Sequence, residues 1–237
     1  MNFSPRQAPR AFTLIELLTV ISIIAILMAL LFPAISLVKE QANKAKARSD
    51  VSGIATAVKQ YNLDYGKYPI IEEDRPAEDA EKDAVCGSSK ANAKINNNAL
   101  FNTLRAIPEG LNKEPKPHRM NPKRVVFFEG KAVTNTAQPR GGFLDKEGAG
   151  GDGLKGCFFD PWGEQYTIVI DQNYNDMIDL TDRYTDFTES PDDGTKDKGA
   201  RAGVGVFSLG KDNQLGKAGD KTYKKGTAIS DDILSWQ

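Results

Sequence analysis

The sequence predicts an α+β fold: one long N-terminal helix, packed on a small antiparallel β-sheet, with a loop-rich insert between them. Three observations carry this expectation. An apolar run from Leu17 to Val38 contains no charged side chain. Beyond it, apolar residues recur at steps of three and four up to a Gly/Pro stop. The last eighty residues then alternate short apolar segments with turns rich in Gly, Pro and Asp.

The 237 residues suit one domain with appendages. A formal net charge of −1 gives no argument for a nucleic-acid partner. Charge is unevenly spread, and it divides the chain into a basic leader (the first ten residues, with Arg6 and Arg10), an apolar segment from about Leu14 to Val38 and a polar remainder.

The apolar segment admits three readings. A secretory signal peptide has the same basic start, but its apolar core is about 7–15 residues long and a small-residue cleavage site follows it. Here the run is longer, and Lys39 and Glu40 follow directly. A transmembrane helix fits better, since about 22 residues at 1.5 Å each span roughly 33 Å. Arg6 and Arg10 would hold its start in the cytoplasm, although Lys44, Lys46 and Arg48 compete from the other side. Neither reading explains Glu16, because a carboxylate at membrane depth costs on the order of 3 kcal/mol and demands a partner.

The third reading supplies one. "RAFTLIELL", Arg10 to Leu18, resembles the prepilin cleavage and methylation motif of type IV pilins and type II secretion pseudopilins. The resemblance implies cleavage by a prepilin peptidase between Ala11 and Phe12, followed by methylation of the new amine. It makes Glu16 the fifth mature residue, which in that family pairs with the Phe12 amine of a neighbouring subunit. Opposite charges attract strongly in a low dielectric, and either one unpaired is expensive there. Pro33 also falls where the family has a proline. Ala11 departs from the usual Gly before the cut.

The helix pattern continues into water over residues 39–65. Val51, Ile54, Val58, Tyr61 and Tyr65 form an apolar stripe, and Gly66 and Pro69 in "DYGKYP" stop it. This predicts a helix from about Phe12 to Tyr65, with Gly53 its weak point.

Residues 66–156 read as the insert. "NNNALFNTLRAI" is a short helix with Asn98 as candidate N-cap and Leu100, Phe101 and Leu104 on one face. "RVVFFEG", Arg124 to Gly130, has the composition of a strand. His118, the single histidine, stands among Pro and Arg and reads as exposed loop. Cys86 and Cys157 are candidates for one disulfide, or for two separate buried thiols.

From Cys157 to Gln237 the pattern is antiparallel sheet. "CFFDPWGEQYTIVID" gives two strand signals about a Pro161–Gly163 turn, "GVGVFSLG" another, and "SDDILSW" a short last element. In this order the segments resemble the major, G-type pseudopilin of type II secretion systems. The resemblance covers about seventy residues at the start and eighty at the end, and the long insert departs from it.

A pilin-like fold follows from the resemblance, as does a structural rather than enzymatic role: a subunit of a periplasmic rod that helps export folded proteins. No nucleophile–base pair, phosphate loop or Cys/His cluster is visible in the sequence. The implied partners are further copies of the chain, minor pseudopilins, the prepilin peptidase, an inner-membrane assembly platform and membrane lipid. The implied location is the bacterial inner membrane, crossed once, with the C-terminal part periplasmic.

The resemblance further implies calcium, held by the carbonyls of Leu209 and Gln214 and the carboxylates of Asp212, Asp231 and Asp232. Clustered oxygens in a Gly-rich loop suit that ion. A second calcium candidate is read from spacing: Asp171, Asn173, Asn175, Met177 and Asp179 alternate as in a calcium loop, without its central Gly or closing Glu. Two competing readings remain open, a surface type IV pilin and a monomeric membrane-anchored calcium-binding module.

Overall fold

The computed structural model describes residues 12–72, 82–113, 115–146, 153–180, 182–185, 199–225 and 228–236. The leader 1–11, with Ala11, lies outside them. The chain forms two compact units, Met1–Ala42 and Asn43–Gln237.

Helix α1 runs from Leu14 to Tyr65, 52 residues, and continues through Pro33. In the first unit its large apolar side chains, from Phe12 to Val38, are exposed. An 18-residue window there has a mean hydropathy of 2.8, so α1 is long and apolar enough to cross a membrane. In the second unit the stripe read from the sequence packs inward: Val51, Ile54, Val58 and Tyr61 enter the main core, Tyr65 lies half-buried against it, and Ala47, one turn earlier, joins them.

The partner of that stripe is a four-stranded antiparallel sheet ordered β1 (Ala84–Cys86), β4 (Thr167–Ile170), β7 (Val204–Ser208), β10 (Ile233–Leu234). Tyr166, Ile168, Ile170, Val204 and Val206 face α1. Val169, Phe207 and Leu234 face a second cluster with Ile178, Leu180, Tyr184 and Leu209. Both sheet faces are therefore dry, which is why β4 and β7 read as nearly continuous apolar runs. Two-residue ladders complete the fold: β2 (Gly142–Phe143) with β3 (Phe158–Phe159), β5 (Ile178–Asp179) with β6 (Gly199–Ala200), and β8 (Lys224–Lys225) with β9 (Ala228–Ile229).

The insert is built into this core. It supplies the edge strand β1, and helix α2 (Asn98–Leu104) buries Leu100, Phe101 and Leu104 in the main cluster. Asn97, not Asn98, caps α2, and its side chain is spent elsewhere. Its Nδ2 donates to the carbonyls of Phe158 (2.9 Å) and Tyr166 (3.0 Å), and its Oδ1 accepts from the Phe158 amide at 3.0 Å. One buried amide thus ties α2 to β3 and to the start of β4.

The 124–130 segment, expected as a strand, joins no sheet. The amides of Phe127 and Phe128 both donate to the Leu104 carbonyl at the end of α2. Their rings pack on the core while Val125 and Val126 face solvent. Satisfying a helix C-terminus has taken the hydrogen bonds a ladder would have used. His118 is half-buried with a positive φ of 61°, rather than fully exposed.

Candidate functional site

The first candidate site is the start of α1. Thr13 precedes the helix, and Glu16 lies in its first turn. Thr13 Oγ1 accepts the Glu16 amide at 3.2 Å. In return the Thr13 amide (3.0 Å) and hydroxyl (2.8 Å) both donate to Glu16 Oε2. This is a reciprocal capping box, the T-x-x-E spacing satisfying two donors that a helix start leaves open. Among the described residues, Oε1 accepts no hydrogen bond. Phe12 is 81% exposed. Phe12 and Glu16 therefore stand one turn apart, uncovered, with one carboxylate oxygen uncommitted.

The second candidate is the loop after β7 with the segment before β10. Gly210 has a φ of 66°, and a Cβ on it would stand 2.5 Å from the Asp231 carbonyl oxygen. Only glycine allows that approach. Asp231 Oδ2 accepts the amides of Lys211 (2.6 Å) and Asp212 (3.2 Å), and Asp212 Oδ1 accepts that of Gln214 at 2.9 Å. Asp232 is buried; its Oδ2 accepts the Tyr184 hydroxyl and the Gly216 amide, both at 2.8 Å. Its Oδ1 is buried without a hydrogen-bond partner. Burial pushes the Asp232 carboxyl up to about 7. Leu209 packs its side chain in the second core cluster, and Gln214 is exposed.

The structure thus gathers Asp231, Asp232 and the 209–214 backbone into one place. Among the described residues, however, no three His, Cys, Asp or Glu side chains converge closely enough to hold a metal. A cation here would rest on the orphaned Asp232 oxygen and on carbonyls, a donor set that calcium accepts. Tyr184, which orients Asp232, carried no signal in the sequence.

The 171–179 loop is wrapped on itself. Asp171 is 1% exposed; its carboxylate accepts the amides of Asn175 (3.2 Å) and Asp176 (2.9 Å). Asn173 and Asn175 accept from Asn175 and Met177. Met177 is buried, Asp179 is exposed, and the Asp179 amide donates to Asp83. The alternating oxygens serve the turn's own amides.

The disulfide candidate is not formed. Cys86 lies in the main core and Cys157 in a small cluster with Leu144 and Phe159, both as free thiols. Burial raises both, Cys157 to about 12, so neither is a nucleophile near neutral pH.

A further anchor had no sequence signal. Asp160, fully buried after β3, accepts the amides of Trp162 (2.9 Å), Gly163 (2.7 Å) and Glu164 (2.9 Å) on Oδ1. Its Oδ2 takes the Ser208 hydroxyl at 2.6 Å. That joins the "DPWG" turn to the end of β7, where the candidate calcium loop begins.

Residues 6–32 match the family model of the prokaryotic N-terminal methylation motif. The chain is 38% identical over 68 residues to the type II secretion system core protein G of Klebsiella michiganensis, covering 29% of this chain and 48% of that one. To the core protein G of Escherichia coli K12 it is 43% identical over 60 residues, 25% of this chain and 41% of that one. The chain therefore spans less than half the length of these two relatives. No solved structure matches the chain. The type IV major pilin protein PilE of Neisseria gonorrhoeae is matched further, at 30% identity over 135 residues, 54% of this chain and 78% of the pilin. A match of that reach places the relationship at the level of the family: the chain belongs to the type IV pilin family.

Proposed function

We propose that this chain is a major-type pseudopilin, a structural subunit of a periplasmic type II secretion rod that helps move folded proteins across the outer membrane. The observation that carries the reading is the similarity to the core proteins G at 38–43% identity. The exposed apolar half of α1 supports it, because such a surface needs lipid or other copies of itself to cover it. Cutting between Ala11 and Phe12 by a prepilin peptidase gives Phe12 a new amine, the site of methylation. That amine pairs with Glu16 of a neighbouring copy and sets the register of the rod. Minor pseudopilins and an inner-membrane assembly platform are the further partners. The subunit crosses the inner membrane once, with its second unit in the periplasm.

The same reading assigns calcium to the 209–232 site. Asp232 would hold it through its unpartnered Oδ1, with the Leu209 and Gln214 carbonyls as further donors; Asp212 and Asp231 would join only by releasing the amides they now accept. Bound there, the ion supplies charge compensation and a cross-link between the loop and β10. The calcium proposal is carried by this loop because Asp232 Oδ1 is buried with no hydrogen-bond partner, whereas the Asp171 carboxylate serves the Asn175 and Asp176 amides.

Replacing Glu16 by Ala tests the assembly reading. Leader cleavage and membrane level should stay normal, while rod formation and secretion are lost. Unchanged secretion and rods in that variant would sink it. The longer reach of the gonococcal pilin match favours one second reading, a surface pilin. Electron microscopy at native expression separates the two, since long surface fibres of this chain support the pilin.

A further inference from the structure

β1 is an edge of the four-stranded sheet. The direction of its backbone groups follows from its neighbours. The Asp171 amide donates to the Gly203 carbonyl at 3.1 Å, so odd residues along β4 face β7 and even ones face β1. Ala84 pairs with Ile170 and Cys86 with Ile168, so both bond to β4, while Val85 aims its amide and carbonyl away from the sheet. On that outer side the Gly87 amide donates to the Ile95 carbonyl at 2.8 Å, and Cys86 and Ile95 form an isolated parallel bridge. The ladder goes no further, because the Ala93 amide that would extend it donates to the Ser88 carbonyl at 3.2 Å instead. Among the described residues the Val85 amide is left with no acceptor.

A cleft of about 240 Å³ opens along this edge, lined by residues 82–85, by Lys94 and Ile95, and by Arg183. Arg183 is 8% exposed, and its Nε is buried with no hydrogen-bond partner among the described residues. Burial lowers the guanidinium, and Asp182, Asp179 and Asp83 act against that shift. Its charge is thus answered by three carboxylates, and what it lacks is an acceptor. A further anion would meet the same carboxylates, so a neutral oxygen such as a main-chain carbonyl suits the place better than a phosphate. The exposed rim is nearly balanced, with Glu72, Asp179 and Asp182 against Lys82 and Lys94. A three-residue edge rimmed by charge resists indiscriminate strand pairing. That does not account for a buried guanidinium whose donor is unanswered.

We propose that the outer edge of β1 takes an extended, uncharged peptide segment of a partner protein as an added strand, whose main-chain carbonyls accept from the Val85 amide and from Arg183 Nε. Strand addition of this kind draws its affinity from main-chain hydrogen bonds. About two or three extended residues at roughly 3.3 Å each match the length of β1. The whole surface lies within the second unit. It depends neither on rod assembly nor on calcium.

The test uses the full chain in detergent micelles and the blocked peptide acetyl-Thr-Val-Thr-Val-Thr-amide, which carries no charge. Without peptide, residue-resolved hydrogen exchange should show the Val85 amide exchanging at least about a hundredfold faster than those of Ala84 and Cys86. Millimolar peptide should slow Val85 at least about threefold, and the same peptide with proline at its centre should not. Val85→Pro removes one donor without touching a bond of the sheet, a change that edge strands tolerate. Arg183→Met removes the other donor. Each should weaken binding of the dye-labelled peptide at least about fivefold. The exchange arm needs no mutation and decides the matter if either variant misfolds. A Val85 amide as slow as its neighbours in the monomeric chain overturns the proposal, since a segment of the same chain then covers the edge. Slowing that appears only as the chain concentration rises also overturns it, and assigns the edge to a second copy. Protection by inorganic phosphate and none by the peptide overturns it in favour of an anion site. Protection by neither overturns it outright.

Discussion

Replacing Asp160 by Asn isolates the role of charge in the main turn of the domain. The Asn Oδ1 still accepts the three turn amides, and its Nδ2 can donate to the Ser208 hydroxyl oxygen that now donates to Asp160. Geometry is kept and only the charge goes. Burial raises the Asp160 carboxyl from its ordinary value of 3.8 to about 6, against the opposing pull of its four donors. The folded chain therefore holds a proton that the unfolded chain releases between about pH 4 and pH 6. Stability contributed by this group is fully present below the lower value and is lost as pH rises through the higher one. At ~1.4 kcal/mol per pH unit the loss is about 3 kcal/mol. Urea unfolding of the full chain in detergent, followed by tryptophan fluorescence at about pH 4 and pH 7, reads it out. The Asn variant should gain about 3 kcal/mol relative to wild type across that interval. Asp160→Ala, which orphans the turn amides, should be destabilised at both ends. A wild-type-to-Asn difference that is flat with pH, or that runs the other way, would refute the reasoning.

Three further outcomes follow from the same structure. Calcium should raise the melting temperature of the chain and a chelator reverse it; Asp232→Asn should cancel the effect. Because Asp232 is raised to about 7, proton and ion compete, and the calcium shift should be larger at about pH 8 than at about pH 6. Gly87→Ala should cost about 3 kcal/mol or more, read as a lowered urea midpoint, since Gly87 has a φ of 134° and a Cβ would stand 2.5 Å from Thr167 Cα and strike the Tyr166 carbonyl oxygen. Cys86 and Cys157 should resist a maleimide until the chain unfolds, and reductant should leave the intact mass unchanged.

What could be read in the sequence follows the range of the interactions. The α1 stripe from Val51 to Tyr61 was legible because helical periodicity is local. The capping box was not read from the sequence, although its T-x-x-E spacing is present in "TLIE"; the structure shows Thr13 spending both its donors on Glu16. The 124–130 segment misled because Val and Phe favour strands, yet the amides of Phe127 and Phe128 were claimed by Leu104, more than twenty residues earlier. Asp160 and Ser208, 48 residues apart in sequence, could not be paired by any local pattern. The same holds for Tyr184 and Asp232, also 48 apart. The insert was the largest difference. Its charged, Pro-rich loops suggested an appendage, but β1 and α2 lie between such loops and are core elements.

Two buried carboxylates, Asp160 and Asp232, and Glu16, which the membrane proposal places in the span, meet the cost of a low dielectric by different routes. Asp160 has four donors from its own chain and nothing left over, so it is a fixed joint. Asp232 has two donors on one oxygen and none on the other, which is the observation behind the calcium proposal. Glu16 lies between these cases. Thr13 satisfies Oε2 from within the helix, and on the assembly proposal this would lower the penalty of holding the chain unassembled in a membrane and leave Oε1 for a neighbour's amine. The box is made by Thr13 and Glu16 alone, so the proposed cut before Phe12 would leave its residues in the chain. On this argument Glu16 need not be bare before assembly. It is half satisfied, and the gain that the assembly proposal assigns to meeting a second copy is the difference between a helix cap alone and a cap joined to an ion pair.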